Sequence, residues 1–224
     1  MNENLIIETL KEKTELKDKV YQNTLLAFGF LKKELAVFSS FMTKQLGSKG
    51  EVLLKDNGAF EMEFHFGGEV LIFSMHTDIF NFDDSHFIHQ SDYLKQDNKR
   101  SYCGVIKVYN FLSDSFKYNR NNDLGYLIAR LFINVENHYF VEGKRQLGFL
   151  YNDFENAIID EDGIKAIVES CILYATEFDL LVPPFDAVKE ITVYQKIEQM
   201  GNASIKTGKR LGFQFQADSD HVSY

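Results

Sequence analysis

The side chains best suited to chemistry lie between His65 and Asp92, a stretch that holds four of the six histidines of the chain. A zinc or similar ion needs three or four His, Asp, Glu or Cys side chains within about 2.3 Å of one point. The predicted strand pairing separates His65 from His76 by roughly 20 Å, so these two cannot share an ion. The remaining candidate ligands of a metal or acid/base site are His76, Asp78, His86 and His89.

The same residues also fit a polar loop at the edge of a sheet. His76 and Asp78 point to one side of a strand because side chains alternate, and His86 and His89 share a face if residues 84–92 form a helical turn. Their spacing matches no metal-binding motif, and no glutamate is placed as a base as in H-E-x-x-H. We therefore favour a solvated loop, with a metal-dependent hydrolase as the alternative.

Glu142 and Lys144 follow an apolar strand, in the spacing found in the metal-binding core of restriction-like nucleases. With a turn at Glu136-Asn137, Glu142 is predicted to lie opposite Leu131. Such a nuclease needs a second carboxylate near the first, but Asp123 would lie roughly 26 Å away along the strand. The pattern instead indicates a half-buried carboxylate that Lys144 or Arg130 pairs, either as a structural ion pair or as part of a ligand-recognition site.

Two basic pairs at predicted hairpin turns are the other candidate binding residues: Lys144 with Arg145, and Lys209 with Arg210. Guanidinium groups suit phosphates and similar anions. The chain has neither G-x-x-x-x-G-K-[ST] nor G-x-G-x-x-G, so no phosphate-loop mechanism is predicted. Basic pairs at turns are usually solvated, and a small-anion or nucleotide sensor is therefore the alternative hypothesis.

Composition narrows the function further. The 224-residue chain carries a net charge of −9, which disfavours binding to a nucleic-acid backbone. Cys103 and Cys171 lack metal-type spacing and are expected to be reduced and buried. The N-terminus lacks the pattern of a signal peptide, and no apolar run approaches the ~20 residues of a membrane span. These features predict a cytoplasmic protein with no membrane partner.

A single long helix is predicted for residues 4–46. Apolar side chains recur at three- or four-residue spacing, interrupted only at Thr24, and Gly47 is suited to a left-handed C-cap. The charged stretch 11–19 is expected to project into solvent. Such a helix reaches about 60 Å, so it either dimerises or binds a partner, or packs along its own sheet. The predicted stripe is Leu16, Val20, Ala27, Leu31, Leu35, Phe38, Met42 and Leu46.

An antiparallel meander is predicted next. A three-residue loop with Gly58 in the left-handed position pairs Val52 with Met62 and Leu54 with Phe60, which gives one apolar face. A tight turn at Gly67-Gly68 then produces a second set of apolar pairs. These pairs are Phe64–Leu71, Met62–Phe73 and Phe60–Met75.

The rest of the chain yields a mixed set of elements. We predict a strand at 102–112 and a hairpin between 124 and 150, although residues 124–135 also fit a helix. A helix follows at 154–180, with Ile164, Ile167, Val168, Cys171, Ile172 and Ala175 on its buried stripe. A strand pair is predicted at 189–199 and 205–216, before a frayed tail at 217–224.

Together these elements predict an α+β fold with a long N-terminal helix, 1–48, and an antiparallel sheet domain, 49–216, of about six to eight strands. The alternative is two subdomains that divide near residue 95. The leading functional hypothesis is a non-enzymatic cytoplasmic binding or regulatory module that self-associates or docks a partner protein through its N-terminal helix. No cofactor is implied.

Overall fold

The computed structural model describes residues 2–47, 50–121, 123–180, 182 and 184–197, and it confirms the predicted α+β fold. The sheet of the described residues is a six-stranded antiparallel meander in the order β1-β2-β3-β4-β5-β6. Its strands are β1 Val52–Asp56, β2 Glu61–Phe66, β3 Glu69–Met75, β4 Cys103–Leu112, β5 Tyr126–Asn134 and β6 Tyr139–Gly143. The helices are α1 Asn2–Leu46, α2 Asp92–Gln96, α3 Ser113–Lys117, α4 Gln146–Phe149, α5 Glu161–Thr176 and α6 Phe185–Val188, with 3-10 turns at Phe87–Gln90 and Asn98–Ser101.

The helix α1 matches the predicted helix closely, and Gly47 has the expected left-handed backbone, with φ of 55°. Its middle turns are buried against the sheet, and the charged stretch 11–19 is exposed, as predicted, apart from the partly buried Leu16. At Thr24, where the predicted apolar stripe is interrupted, α1 lies very close to β4. Thr24 is fully buried over Gly104, where an added Cβ would lie 2.1 Å from the Thr24 hydroxyl. A side chain at position 104 would therefore push α1 away from β4.

The pairing of β1 with β2 differs from the prediction. Val52 lies opposite Phe66 and Leu54 opposite Phe64, a shift of four residues from the predicted partners. An even shift keeps the same side chains on the apolar face, so the sequence pattern did not distinguish the two registers. The longer loop is held by Lys32, whose Nζ donates to Asp56 Oδ1 at 2.7 Å and to the Gly58 carbonyl at 2.6 Å.

The pairing of β2 with β3 is as predicted. Met62 lies opposite Phe73 and Phe64 opposite Leu71, and the Met75 N–H donates to the Phe60 carbonyl at 2.9 Å. Gly67 takes the left-handed conformation that the two-residue turn requires, with φ of 59°. The apolar alternation and the paired glycines both specify this register.

Residues 126–134 form a strand, which confirms the predicted hairpin, but its register is one residue from the prediction. Glu142 lies opposite Arg130 and not opposite Leu131. The Asn134 side chain sets this turn, because its Oδ1 accepts the Glu136 and His138 N–H groups, each at 2.9 Å. A one-residue change exchanges the two faces, so Glu142 lies on the face away from α1 and α5.

The helix α5 is shorter than the predicted helix at 154–180. It begins after Asp160, whose carboxylate accepts the Gly163 N–H at 2.7 Å as an N-cap. Residues before this cap belong to a loop in which Phe154 is buried on the other face of the sheet. The predicted buried stripe of α5 is confirmed at all six positions.

The predicted strand at 189–199 is wrong for its described part, because residues 193–197 are helical. Thr192 and Gln195 form a capping box there: the Gln195 N–H donates to Thr192 Oγ1 at 3.1 Å, and Gln195 Oε1 accepts the Thr192 N–H at 2.9 Å. The helix-capping pattern T-x-x-Q therefore outweighs the β-branched residues, which favour a strand. The predicted strand at 205–216 and the tail at 217–224 lie outside the described residues.

The core has two parts, one on each face of the sheet. The larger part lies between the sheet and the helices α1 and α5, where Phe28, Phe64 and Phe73 are buried. The smaller part lies under the segment that connects β3 to β4 and includes Ile88 and Phe140. Since β3 and β4 pair directly, the sheet is continuous across residue 95. No helix among the described residues combines the length and apolar character needed to cross a membrane.

Candidate functional site

A three-residue polar cluster on the sheet joins residues from two of the predicted sites. The Arg130 guanidinium donates through Nη2 to Glu142 Oε2, and His86 Nε2 lies 3.2 Å from Glu142 Oε1. We call Arg130, Glu142 and His86 the Glu142 cluster. Its ion pair is the one expected of a half-buried carboxylate, and Arg130 supplies a partner.

Aromatic rings surround the histidine of the Glu142 cluster. His86 packs against Phe82 and Phe87, with ring centroids 4.5 and 4.7 Å away. Its Nδ1 is buried and has no hydrogen-bond partner among the residues that the structure describes. Arg130 extends over the Phe132 ring at 5.3 Å. The Glu142 carboxylate is therefore held between two nitrogen donors above an apolar base, and this arrangement fixes the connecting segment to the sheet.

The other predicted metal ligands have separate local partners. The Asp78 N–H donates to His76 Nδ1 at 3.0 Å, which is a turn contact between near neighbours. His89 Nε2 lies 3.4 Å from the Phe82 carbonyl. In the part of the chain that the structure describes, no three His, Cys, Asp or Glu side chains are grouped so as to hold a metal ion. The four predicted ligands thus do not form such a group.

The predicted anion site is only partly described. Lys144 lies just beyond β6, where its N–H donates to the Ile128 carbonyl at 3.0 Å. Arg145 lies 3.6 Å from Glu177 and over the Tyr174 ring at 5.6 Å, so its guanidinium packs against the end of α5. Lys209 and Arg210 lie outside the described residues. Anion binding by the four together therefore stays a prediction.

The sequence gives no sign of a second polar cluster, which forms around Tyr93. The Tyr93 hydroxyl donates to Glu136 Oε2 at 2.7 Å, and Asn134 Nδ2 donates to the same hydroxyl at 3.0 Å. His138 stacks on the Tyr93 ring at 4.4 Å, and Arg100 lies over it at 4.2 Å. Burial and the Glu136 bond raise the pKa of Tyr93. The cluster joins the connecting segment to the β5–β6 turn, and its members are too far apart in sequence for any motif to reveal it.

The helix α1 carries a second row of apolar side chains, away from the sheet. Leu26, Val37 and Phe41 are 57%, 62% and 56% exposed, and Phe30 between them is partly buried at the edge of the larger core, against which it packs. We call Leu26, Phe30, Val37 and Phe41 the outer stripe. Steps of four, seven and four residues keep all four on one side of a helix. The sequence contains this spacing, but the longer predicted stripe already explained why the helix has apolar residues, so the second row was not predicted.

Both cysteines are buried and unpaired, as predicted. Burial raises the pKa of both thiols, so neither is a ready nucleophile. The Glu142 cluster and the outer stripe are therefore the features that bear most on function.

Comparisons of the chain with protein families, with curated proteins and with solved structures find no match.

Proposed function

We propose that this protein is a non-catalytic binding module of the cytoplasm that forms a homodimer through the outer stripe of α1. The observation that carries the proposal is the presence of two apolar rows on one helix, only one of which is buried by the sheet. A helix at the surface of a monomer normally has a single apolar side. A second row of large side chains is typical of a helix that is covered on both sides.

The energetic argument rests on the size of the exposed groups. Fully burying a Val, Leu or Phe side chain contributes about 1.5–3 kcal/mol relative to leaving it in water. Leu26, Val37 and Phe41 each leave more than half of their surface exposed in the monomer. Contact with another apolar surface would recover part of this free energy, and Leu173 of α5, 52% exposed, lies on the same helical layer.

The spacing of the outer stripe supports a second copy as the occupant. Steps of four, seven and four residues read the same in both directions along the helix. Two antiparallel copies related by a two-fold axis between residues 33 and 34 would therefore place Leu26 opposite Phe41 and Phe30 opposite Val37. Such a self-complementary patch is what a two-fold interface requires. Lys33, near the axis, lies 4.0 Å from Glu161 of its own chain, which offsets its charge.

The test is the oligomeric state measured by sedimentation velocity at concentrations up to about 200 µM, since mass action favours the dimer as concentration rises. The wild-type protein should shift from monomer to dimer over this range. Val37→Lys should remain monomeric because it replaces a large apolar side chain of the proposed contact with a charged one, while circular dichroism shows an unchanged fold.

Leu10→Lys is the matched control, because Leu10 is 61% exposed on the projecting turns of the same helix. It should dimerise as the wild type does. A wild-type protein that stays monomeric throughout, or a Val37→Lys variant that still dimerises, would contradict the proposal.

A further inference from the structure

The two edges of the sheet differ in whether their backbone groups are paired. At the β6 edge, the Tyr139 N–H donates to the Ala157 carbonyl at 3.1 Å and the Val141 N–H donates to the Tyr151 carbonyl at 2.9 Å. The chain thus covers this edge with its own loop. At the other edge, β2 is the only part of the described chain that forms backbone hydrogen bonds with β1, Val52–Asp56. The edge of β1 is therefore open.

The register specifies which backbone groups of β1 point outward. The Asn57 N–H donates to the Glu61 carbonyl at 3.1 Å, and in an antiparallel pair the hydrogen-bonded positions alternate with positions that are not bonded. Every second residue before Asn57 therefore pairs with β2. The residues between them, Val52, Leu54 and Asp56, present their N–H and C=O groups to the open edge, and such a row can accept another extended strand.

The apolar core is also incomplete beside this edge. Phe38 and Met42 of α1 and Val52 and Leu54 of β1 pack against the larger core but are only partly buried. In contrast, Leu35, one turn earlier in α1, is fully buried. We call Phe38, Met42, Val52 and Leu54 the edge slot. An extended chain beside β1 would find both backbone groups to pair with and an apolar surface on one side.

We propose that β1 binds an extended segment of a partner protein, which joins the sheet as a seventh, antiparallel strand. The apolar side chains of the segment alternate with polar ones, because only one side of a strand contacts the edge slot. They lie opposite Val52 and Leu54, and a basic residue lies opposite Asp56, whose side chain is 58% exposed although Lys32 binds it. The proposal is independent of the homodimer, because no residue of the outer stripe belongs to the edge slot.

A second copy of the chain fits this edge less well than a different sequence does. Two β1 strands related by a two-fold axis at Leu54 would place Asp56 opposite Val52 and Lys55 opposite Leu53. Each charged side chain would then face an apolar one. Charged side chains on a short edge strand oppose pairing between identical edges, so the occupant is a segment of another protein.

The experiment is a titration of the ¹⁵N-labelled protein with the peptide acetyl-Thr-Lys-Thr-Val-Thr-Val-Thr-amide, followed by NMR and by amide hydrogen exchange. In the antiparallel arrangement its lysine lies opposite Asp56 and its valines lie opposite Leu54 and Val52. The β1 amides should shift saturably at peptide concentrations up to about 1 mM. The Leu54 N–H should exchange quickly in the free protein and about tenfold more slowly at saturation, while the Lys55 N–H, which β2 binds, should exchange slowly in both states.

Two methylated forms of the peptide test the backbone pairing on the unaltered protein. Residues directly opposite Val52 and Leu54 form hydrogen-bonded pairs with them. N-methylation of both valines should therefore weaken binding by about tenfold or more. N-methylation of the two threonines that precede the valines removes only N–H groups that point away from β1, and it should change the affinity by no more than about twofold.

Leu54→Pro removes the outward N–H at the centre of the open edge, a position at which an edge strand tolerates proline. It should weaken binding by about tenfold. Leu53→Thr is the matched control in the same strand, because the Leu53 backbone pairs with β2 and its side chain lies on the other face of the sheet. This variant should bind as the wild type does.

Three results would overturn the proposal. The first is the absence of saturable shifts in β1, and the second is equal binding by the two methylated peptides. The third is slow exchange of the Leu54 N–H in the free protein, because another part of the chain or a second copy would then already cover the edge.

Discussion

The two faces of the sheet are built from the same alternating strands, yet they are covered very differently. On the helical face, α1 and α5 bury a continuous set of side chains such as Phe64, Phe73 and Leu131. The opposite face is covered by smaller pieces: the connecting segment packs over Phe132 and Phe140, and α3 packs through Phe116 near His65. The helical face therefore carries most of the folding free energy, and the opposite face carries polar clusters and exposed surface.

The carboxylates of the two faces show the same contrast in another form. Glu142, on the opposite face, forms an ion pair with Arg130 and lies 3.2 Å from His86 Nε2. Glu69, on the helical face, is desolvated by the core without a cationic partner in the described part of the chain, and burial raises its pKa to about 7. The apolar layer of α1 and α5 stabilises the fold, but it offers the Glu69 carboxylate no compensating charge.

The largest difference between the faces should appear at two adjacent residues of β2. Phe64→Ala should lower the free energy of unfolding by about 3–5 kcal/mol, because it leaves a cavity in the helical face. His65→Ala, on the opposite face, removes a contact with Glu63 at 2.8 Å and an edge contact with the Phe116 ring, and it should cost less, about 1–2 kcal/mol. Urea unfolding measures both values, and equal losses would contradict the contrast between the faces.

The ion pair of the Glu142 cluster should have a smaller effect. Arg130→Ala should lower the free energy of unfolding by about 1–2 kcal/mol, because it leaves a half-buried carboxylate without its main partner. Combining it with Glu142→Gln should cost less than the sum of the two single changes, since the unpaired charge is then gone. Strictly additive losses in the double-mutant cycle would show that the two side chains do not interact.

Glu69→Gln should stabilise the protein, and only at high pH. A carboxyl whose folded pKa is raised from 4.5 to about 7 penalises folding when ionised, so the penalty is absent below pH 4.5, grows between pH 4.5 and 7, and is complete above that. We expect a gain of about 1 kcal/mol at pH 8, allowing for solvent screening of a group that is not fully buried. At pH 4 the variant and the wild type should unfold alike, and a pH-independent difference would contradict the assignment.

The smallest effect is expected on the uncovered part of the opposite face. Leu127 lies on β5 and is 38% exposed. Leu127→Thr should change the free energy of unfolding by less than about 0.5 kcal/mol, because threonine suits a strand and no cavity forms. A larger loss, measured by the same urea titration, would mean that this part of the face is covered in solution.

The registers show how far local patterns determine the sheet. The β2–β3 pairing was predictable because Gly67-Gly68 leaves one turn geometry and the apolar residues then match in pairs. The β1–β2 pairing was not, because a shift of four residues preserves the apolar face, and the longer loop is held by Lys32 from α1 together with contacts of Asn57 to Glu61. The β5–β6 pairing depends on one amide, that of Asn134, which fixes the turn through two backbone contacts.

The candidate sites divide in the same way. A pair between Glu142 and Arg130 could be predicted, because a carboxylate next to an apolar strand needs a cation nearby. The place of His86 beside Glu142 could not, since 56 residues separate them. The grouping of His76 with His86 and His89 rested on nearness in sequence, and the turn contacts of His76 and His89 keep them apart.

The sequence by itself determined the long helix, the strand alternation and the meander, because these depend on periodicity, turn residues and caps that act over a few positions. The tertiary structure decided which face receives Glu142 and that Glu69 and Asn110 lie side by side. Each of those outcomes depends on contacts between residues far apart in the chain, and periodicity contains no information about such partners.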